Sequence, residues 1–190
     1  FGVPEERLRV IPRPAFRDEI DRRDDGRTAL FHGLIRPYKG IDDAVEAVLR
    51  VPDARLLVAG DPRVPLDDVR RRAGERAEWR LGFLPRDEMR RALSEGTVSL
   101  FPYRPEIDLS GALLQSLGAG IPAIVYDIGG LGETVARFGA GAVVEPGDVA
   151  GMAVALERLL GDPAALAEAR RGAERARAEL TWEASATAHL

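Results

Sequence analysis

Residues Thr28 to Gly60 read TALFHGLIRPYKGIDDAVEAVLRVPDARLLVAG, and their order decides the fold class. TALFH, Thr28 to His32, is a short β-type apolar run, and RLLVAG, ending at Gly60, is a second. Between them IDDAVEAVLR repeats its apolar residues at helical spacing, with Ile41, Ala44, Val45 and Val48 on one face. Strand, helix, strand at this spacing is the unit from which a parallel sheet is built.

The same alternation continues outward. Leu66 to Ala73 reads as a short helix, EWRLGFL as a third strand with its exit loop, and RDEMRRALSEG as a helix closed by Gly96. TVSLFPY, Thr97 to Tyr103, is a fourth strand, SGALLQSLGAG a helix, IPAIVYD a fifth strand, GGLGETVARFG a helix and GAVVEPG a sixth strand. Helices from Asp148 to about Ala178 complete the unit. Upstream, LRVIP reads as an extra strand and Ala15 to Asp25 as a polar connector; downstream, Thr181 is placed to cap a helix in TWEASATAHL. The expected fold is α/β: a Rossmann-like doubly wound parallel sheet of about six strands with helices on both faces, in a single domain. Residues 1–27 are its entry strand and connector, 28–180 its core, and 181–190 the start of a truncated crossover helix.

Composition removes several functions. A net charge of -4 argues against a nucleic-acid-binding surface. With Cys 0, disulfides, thiolate metal sites and cysteine nucleophiles are excluded, and a reducing, cytoplasmic location agrees with that. No apolar run is long enough for a bilayer span, and no charged-then-apolar stretch reads as a leader. The start at Phe1, inside what reads as a turn and strand, points to a piece of a longer protein. Arginine is abundant, whereas Lys39 is the only lysine; either it stands where a compact ammonium is needed or chance has left one.

In open α/β sheets ligands bind beyond the carboxyl ends of the strands, so the exit loops carry the candidate site. The first runs from His32 and Gly33 through Arg36 to Lys39 and Gly40. Gly33 permits close backbone approach, and Arg36 and Lys39 reach toward one anion, a phosphate. G-x-G-x-x-G is absent and the lysine precedes its glycine, which removes a dinucleotide fingerprint and a P-loop. The plainer alternative is that both cations are solvated loop charges. After the fourth strand, Ser110 is the natural cap of a helix whose free amides at Gly111 favour a diphosphate, with Gln115 one turn further on the same face. Ser110 as a cap only, and Gln115 as a surface side chain, are the alternatives. After the third strand, Phe83 and Leu84, with Pro85, form an apolar ledge, either packed or in contact with a base. His32 reads as a satisfied strand-end residue, and Glu133 as a carboxylate complementing a helix dipole.

FHGLIRPYKGIDDAVEAV, LLVAGDP, LGFLPRDEM and SGALLQSLGAGIPAIVYDIGGLGE, in that order, resemble the C-terminal domain of GT-B retaining glycosyltransferases of the group 1 family. The resemblance spans nearly the whole chain. It implies a nucleotide-sugar-binding half of a hexosyltransferase-type enzyme that uses a donor such as a uridine or guanosine diphosphate sugar. It further implies a missing N-terminal acceptor-binding domain, which would carry any peripheral membrane association, and neither metal nor cofactor. By the same resemblance Lys39 and Arg36 hold the donor diphosphate and stabilise the leaving nucleotide. The family's pair of glutamates falls on Ile107 and Gln115; Gln115 retains hydrogen bonding to ribose, and Glu106 and Asp108, flanking Ile107, stand where a replacement acid is available. A degenerate, non-catalytic partner module and a nucleotide-sugar epimerase are the rival functions.

Overall fold

The computed structural model describes residues 4, 7, 11, 13–16, 19–105 and 110–189. Six parallel strands form one sheet in the order β3-β2-β1-β4-β5-β6. They are β1 (Thr28–His32), β2 (Arg55–Gly60), β3 (Ala77–Leu81), β4 (Val98–Phe101), β5 (Ala123–Tyr126) and β6 (Gly141–Val144). The helices between and after them are α1 (Ile41–Arg50), α2 (Asp67–Ala73), α3 (Arg86–Glu95), α4 (Gly111–Gly118), α5 (Gly130–Phe138), α6 (Val149–Gly161), α7 (Pro163–Glu179) and α8 (Trp182–Ala188). The expected doubly wound sheet is therefore present, and β1, β2 and α1 have the bounds their apolar patterns imply.

Alternation along each strand divides the core in two. Ala29, Phe31, Leu56, Val58, Val98, Leu100, Ile124 and Tyr126 face one side and pack against α1, α2 and α6. Leu30, Leu57, Ala59, Phe101, Ala123 and Val125 face the other, against α3, α4, α5 and α7. Strands buried on both faces read as continuous apolar runs, which is why RLLVAG and IPAIVYD stand out in the sequence.

Side-chain caps begin α4 and α8, as their sequences imply, and also α7. Ser110 Oγ accepts from Leu113 N at 3.1 Å, Asp162 accepts from Ala164 N, and Thr181 Oγ1 from Ala184 N. Gly96 ends α3, though for a different reason from the one its position implies. Its φ of -74° lies outside the left-handed region, and a Cβ there would meet the Leu30 side chain at 2.9 Å. Close packing of the helix end on β1 selects this glycine.

The connector before β1 is fastened by charge. Asp24 accepts two hydrogen bonds from Arg170 Nη2 on α7, at 2.8 and 2.9 Å, and one from Thr97 Oγ1 at 3.1 Å. The expected LRVIP strand lies almost wholly outside the described residues. Among the described residues no helix is long and apolar enough to cross a membrane.

Candidate functional site

β1 and β4 are neighbours at the centre of the sheet, and the chain continues from them in opposite directions, to β2 on one side and β5 on the other. Among the described residues no helix closes the space between their exit loops, which leaves a crevice at the carboxyl edge.

The β1 exit loop is stitched to the β2 exit. Gly33 N donates to Ala59 O, Ile35 N to Asp61 O and Arg63 N to Ile35 O, at 2.8 to 2.9 Å, and the Ile35 side chain is fully buried. Pro37–Lys39 then forms a single 3-10 turn, with proline at a position that needs no N–H. Gly40 follows in the left-handed conformation, φ 67° and ψ 41°. A Cβ on Gly40 would lie 2.1 Å from the Pro102 carbonyl, so the turn is clamped against the β4 exit.

This clamp drives Lys39 inward. The residue is only 5% exposed, its Nζ donates to the His32 carbonyl at 3.2 Å, and the ammonium sits 5.2 Å from the centre of the Tyr103 ring. No carboxylate among the described residues forms an ion pair with it. Burial, and then the nearby Arg36 guanidinium, lower Lys39 from 10.5 to about 8. Lys39 is thus a buried cation rather than a solvated loop charge.

Tyr103 is fixed edge to face between Tyr38, at 5.7 Å, and Phe101, at 5.6 Å. Its hydroxyl accepts from Ser110 Oγ at 3.2 Å, and burial pushes its titration above the ordinary phenol range. One side of the ammonium stays open because Gly33 has no side chain. A Cβ there would stand 3.1 Å from Lys39 Nζ and 3.6 Å from the Ala112 methyl group, filling the space between the loop and α4. A Cβ on Gly111 would meet nothing within 4 Å. No described residue accepts from the amides of Gly111 and Ala112, which leaves the α4 N-terminus facing the crevice.

The other sequence candidates are placed as follows. Arg36 is exposed and, with Tyr38, Asp42 and Arg104, lines a cleft of 320 Å³ on the outer side of the turn. Gln115 is half-buried on the α4 face that carries Gly111 and Ala112. Phe83 is 89% exposed, while Leu84 packs on the core; both follow β3, two strands from β1 and therefore roughly 10 Å along the sheet edge. Glu106 and Asp108 lie outside the described residues. A larger cavity of 520 Å³ lies at the opposite edge, around the amino ends of β1, β2 and β3. Arg76 there donates to the carbonyls of Val48, Val51 and Ala54, which accounts for it structurally.

Sequence reading missed Tyr103 as the aromatic wall behind Lys39, and it missed the polar contacts of His32. The available signal was the aromatic pair in FPY at the end of a strand facing a cationic loop. His32 is 1% exposed, and Nε2 lies 2.8 Å from Ser116 Oγ, which in turn donates to Ser99 Oγ at 2.8 Å. Burial, aided by Lys39, lowers its titration to about 3, so the imidazole is neutral and provides no proton at physiological pH.

The described groups at the crevice are therefore an unpaired buried ammonium, a nearby guanidinium and a helix N-terminus. Their common chemistry is stabilising negative charge on a ligand with several anionic oxygens.

The family model for glycosyl transferases group 1 matches residues 26–162. The chain is 35% identical over 160 residues to 2-deoxystreptamine glucosyltransferase of Streptomyces kanamyceticus, covering 80% of this chain and 41% of that protein. Among solved structures, sucrose-phosphate synthase from Thermosynechococcus elongatus superposes with a TM-score of 0.70 at 30% identity, covering 86% of this chain and 43% of that one. The C-terminal domain of a glycosyl transferase group 1 family protein from Francisella tularensis gives a TM-score of 0.69 at 18% identity, over 82% of this chain and 87% of that one, a likeness of fold alone. The chain thus spans about two fifths of the length of the curated relatives it matches.

Proposed function

Since the chain belongs to the glycosyl transferases group 1 family, we propose that it is the donor-binding half of a GT-B retaining glycosyltransferase, taking a nucleoside-diphosphate sugar such as a uridine or guanosine diphosphate sugar. One observation supports this above the others: among the described residues Lys39 is buried without a carboxylate partner, and the glycine at position 33 leaves space beside its ammonium, opposite the free end of α4. Burying an uncompensated charge destabilises a fold, so an anionic ligand that completes the pair accounts for its presence.

In transfer, the bond between the anomeric carbon and the donor diphosphate breaks, and a new bond forms to an acceptor hydroxyl, whose proton passes to the departing diphosphate. The diphosphate leaves with the electron pair. Lys39, Arg36 and the amides of Gly111 and Ala112 stabilise that developing charge; stabilisation of this kind is usually the largest single contribution to catalysis. Gln115 and Ser110, on the same helix end, are assigned to the ribose and the adjoining phosphate, and Phe83 and Leu84 to the base. Cationic side chains fill the role that a metal ion has at many diphosphate sites, so none is invoked. The acceptor is assigned to a second domain outside this chain.

Calorimetric titration with uridine, guanosine and adenosine diphosphates tests the assignment. At least one binds, and Lys39→Ala weakens it about a hundredfold, the loss of a charge-assisted buried contact, while the parent nucleoside loses little. No heat from any of the three favours a non-catalytic partner module. Equal losses for nucleoside and diphosphate remove Lys39 from the phosphate role.

A further inference from the structure

His32, Ser116 and Ser99 form a buried polar chain behind the site that donor binding does not by itself use. All three residues are at most 1% exposed. They belong to three elements, the end of β1, α4 and β4, in a layer whose buried clusters are largely apolar. Ser116 Oγ donates to Ser99, so it accepts from His32 Nε2, and that leaves Nδ1 as a bare lone pair. Nδ1 is buried with no partner among the described residues. An unpaired buried polar atom is destabilising, and an apolar residue here would avoid it.

The chain joins the two halves of the anion site. The His32 carbonyl is the acceptor of Lys39 Nζ, whereas Ser116 sits one and a half turns along the helix whose first amides face the crevice. Phe101 packs edge to face on the imidazole at 5.8 Å and restricts its rotation. We propose that His32 is a positioning residue: its imidazole, anchored through Ser116 to Ser99, orients the carbonyl that holds Lys39 and sets the ammonium at a fixed distance from the start of α4. The consequence for ligands rests on the diphosphate assignment above; the coupling of His32 to Lys39 does not.

Because Lys39 is the only lysine, protein grown on carbon-13 lysine gives a single side-chain signal, and its titration reports Lys39 directly. In the wild-type chain the midpoint lies near 8. In His32→Leu it rises toward the free-lysine value, as the ammonium loses its carbonyl and turns toward water, and His32→Gln, which keeps an N–H for Ser116, brings it back. Ser116→Ala, a smaller change that leaves the core filled, moves it in the same direction. Both His32→Leu and Ser116→Ala weaken nucleoside diphosphate binding about tenfold, the loss expected of one buried hydrogen bond, and leave nucleoside binding unchanged. Midpoint and affinity both unmoved in folded His32→Leu and Ser116→Ala overturn the proposal, as do equal losses for nucleoside and diphosphate. If the wild-type chain binds none of the diphosphates while the midpoint still moves, the coupling is supported and the diphosphate assignment is overturned instead.

Discussion

Lys39→Met should make this domain more stable while removing its anion site. Methionine keeps an unbranched stem for the packing around Tyr103 and removes only the charge. The magnitude follows from the titration of the buried ammonium, which lies at about 8 rather than 10.5; that difference corresponds to a cost to the folded state of about 3 kcal/mol at neutral pH. Loss of the hydrogen bond to the His32 carbonyl offsets about 1 kcal/mol of it. A net gain of about 2 kcal/mol remains at pH 7, which raises Tm by roughly 4 to 8 °C for a chain of this size.

The pH dependence has a definite sign. Since the folded value is depressed, the unfolded chain holds more protons between about 8 and 10.5, and wild-type stability rises with pH across that window. By pH 9.5 about 2 kcal/mol of the penalty has gone, and the advantage of Lys39→Met falls close to zero. Urea denaturation of both proteins at pH 7 and pH 9.5 measures this. A methionine variant less stable than wild type at pH 7, or an advantage of equal size at both pH values, would refute an uncompensated buried charge at Lys39. The expected outcome is the trade-off of a binding site whose strain is relieved by its ligand.

Two other perturbations follow from the same geometry. The His32 imidazole is buried and neutral down to about pH 3, against an ordinary value of 6.5. The unfolded chain therefore binds the extra proton first, and stability falls as pH drops from 6.5 toward 3, by up to about 5 kcal/mol at this one residue; His32→Gln should flatten that slope in thermal melts between pH 6.5 and 4, and an unchanged slope argues against a neutral buried imidazole. Gly40→Ala meets both an unfavourable left-handed conformation and the Pro102 carbonyl, so it should destabilise by about 2 kcal/mol or more and displace Lys39 with the turn. Urea midpoints and nucleoside diphosphate titration check this together, and a stable variant with full affinity counts against the clamp.

Much of the fold was legible because its signals are local. Apolar runs of four to six residues mark strands buried on both faces, and a 3.6-residue repeat such as that of Ile41, Ala44, Val45 and Val48 marks a helix packed on one side. Ser110 and Thr181 are read as caps because the amides they accept from lie three residues away. The exit-loop rule then brought Gly33, Arg36, Lys39, Ser110 and Gly111 to one edge of the sheet before any contact was known.

What only the tertiary structure decided is what those residues experience there. The order of the strands, set by long-range pairing, makes β1 and β4 neighbours across the opening. Lys39 loses its water because its turn is clamped through Gly40 on Pro102 and its ammonium lies against Tyr103, both more than sixty positions away in sequence. His32 meets a serine 84 positions further along, and Gly96 is required by a leucine on a different element. Hydrophobic period and capping are written within a few residues of chain, so sequence determined the elements. Desolvation and buried hydrogen bonding depend on which distant segments meet, so the charge state and geometry of the site came only from the folded arrangement.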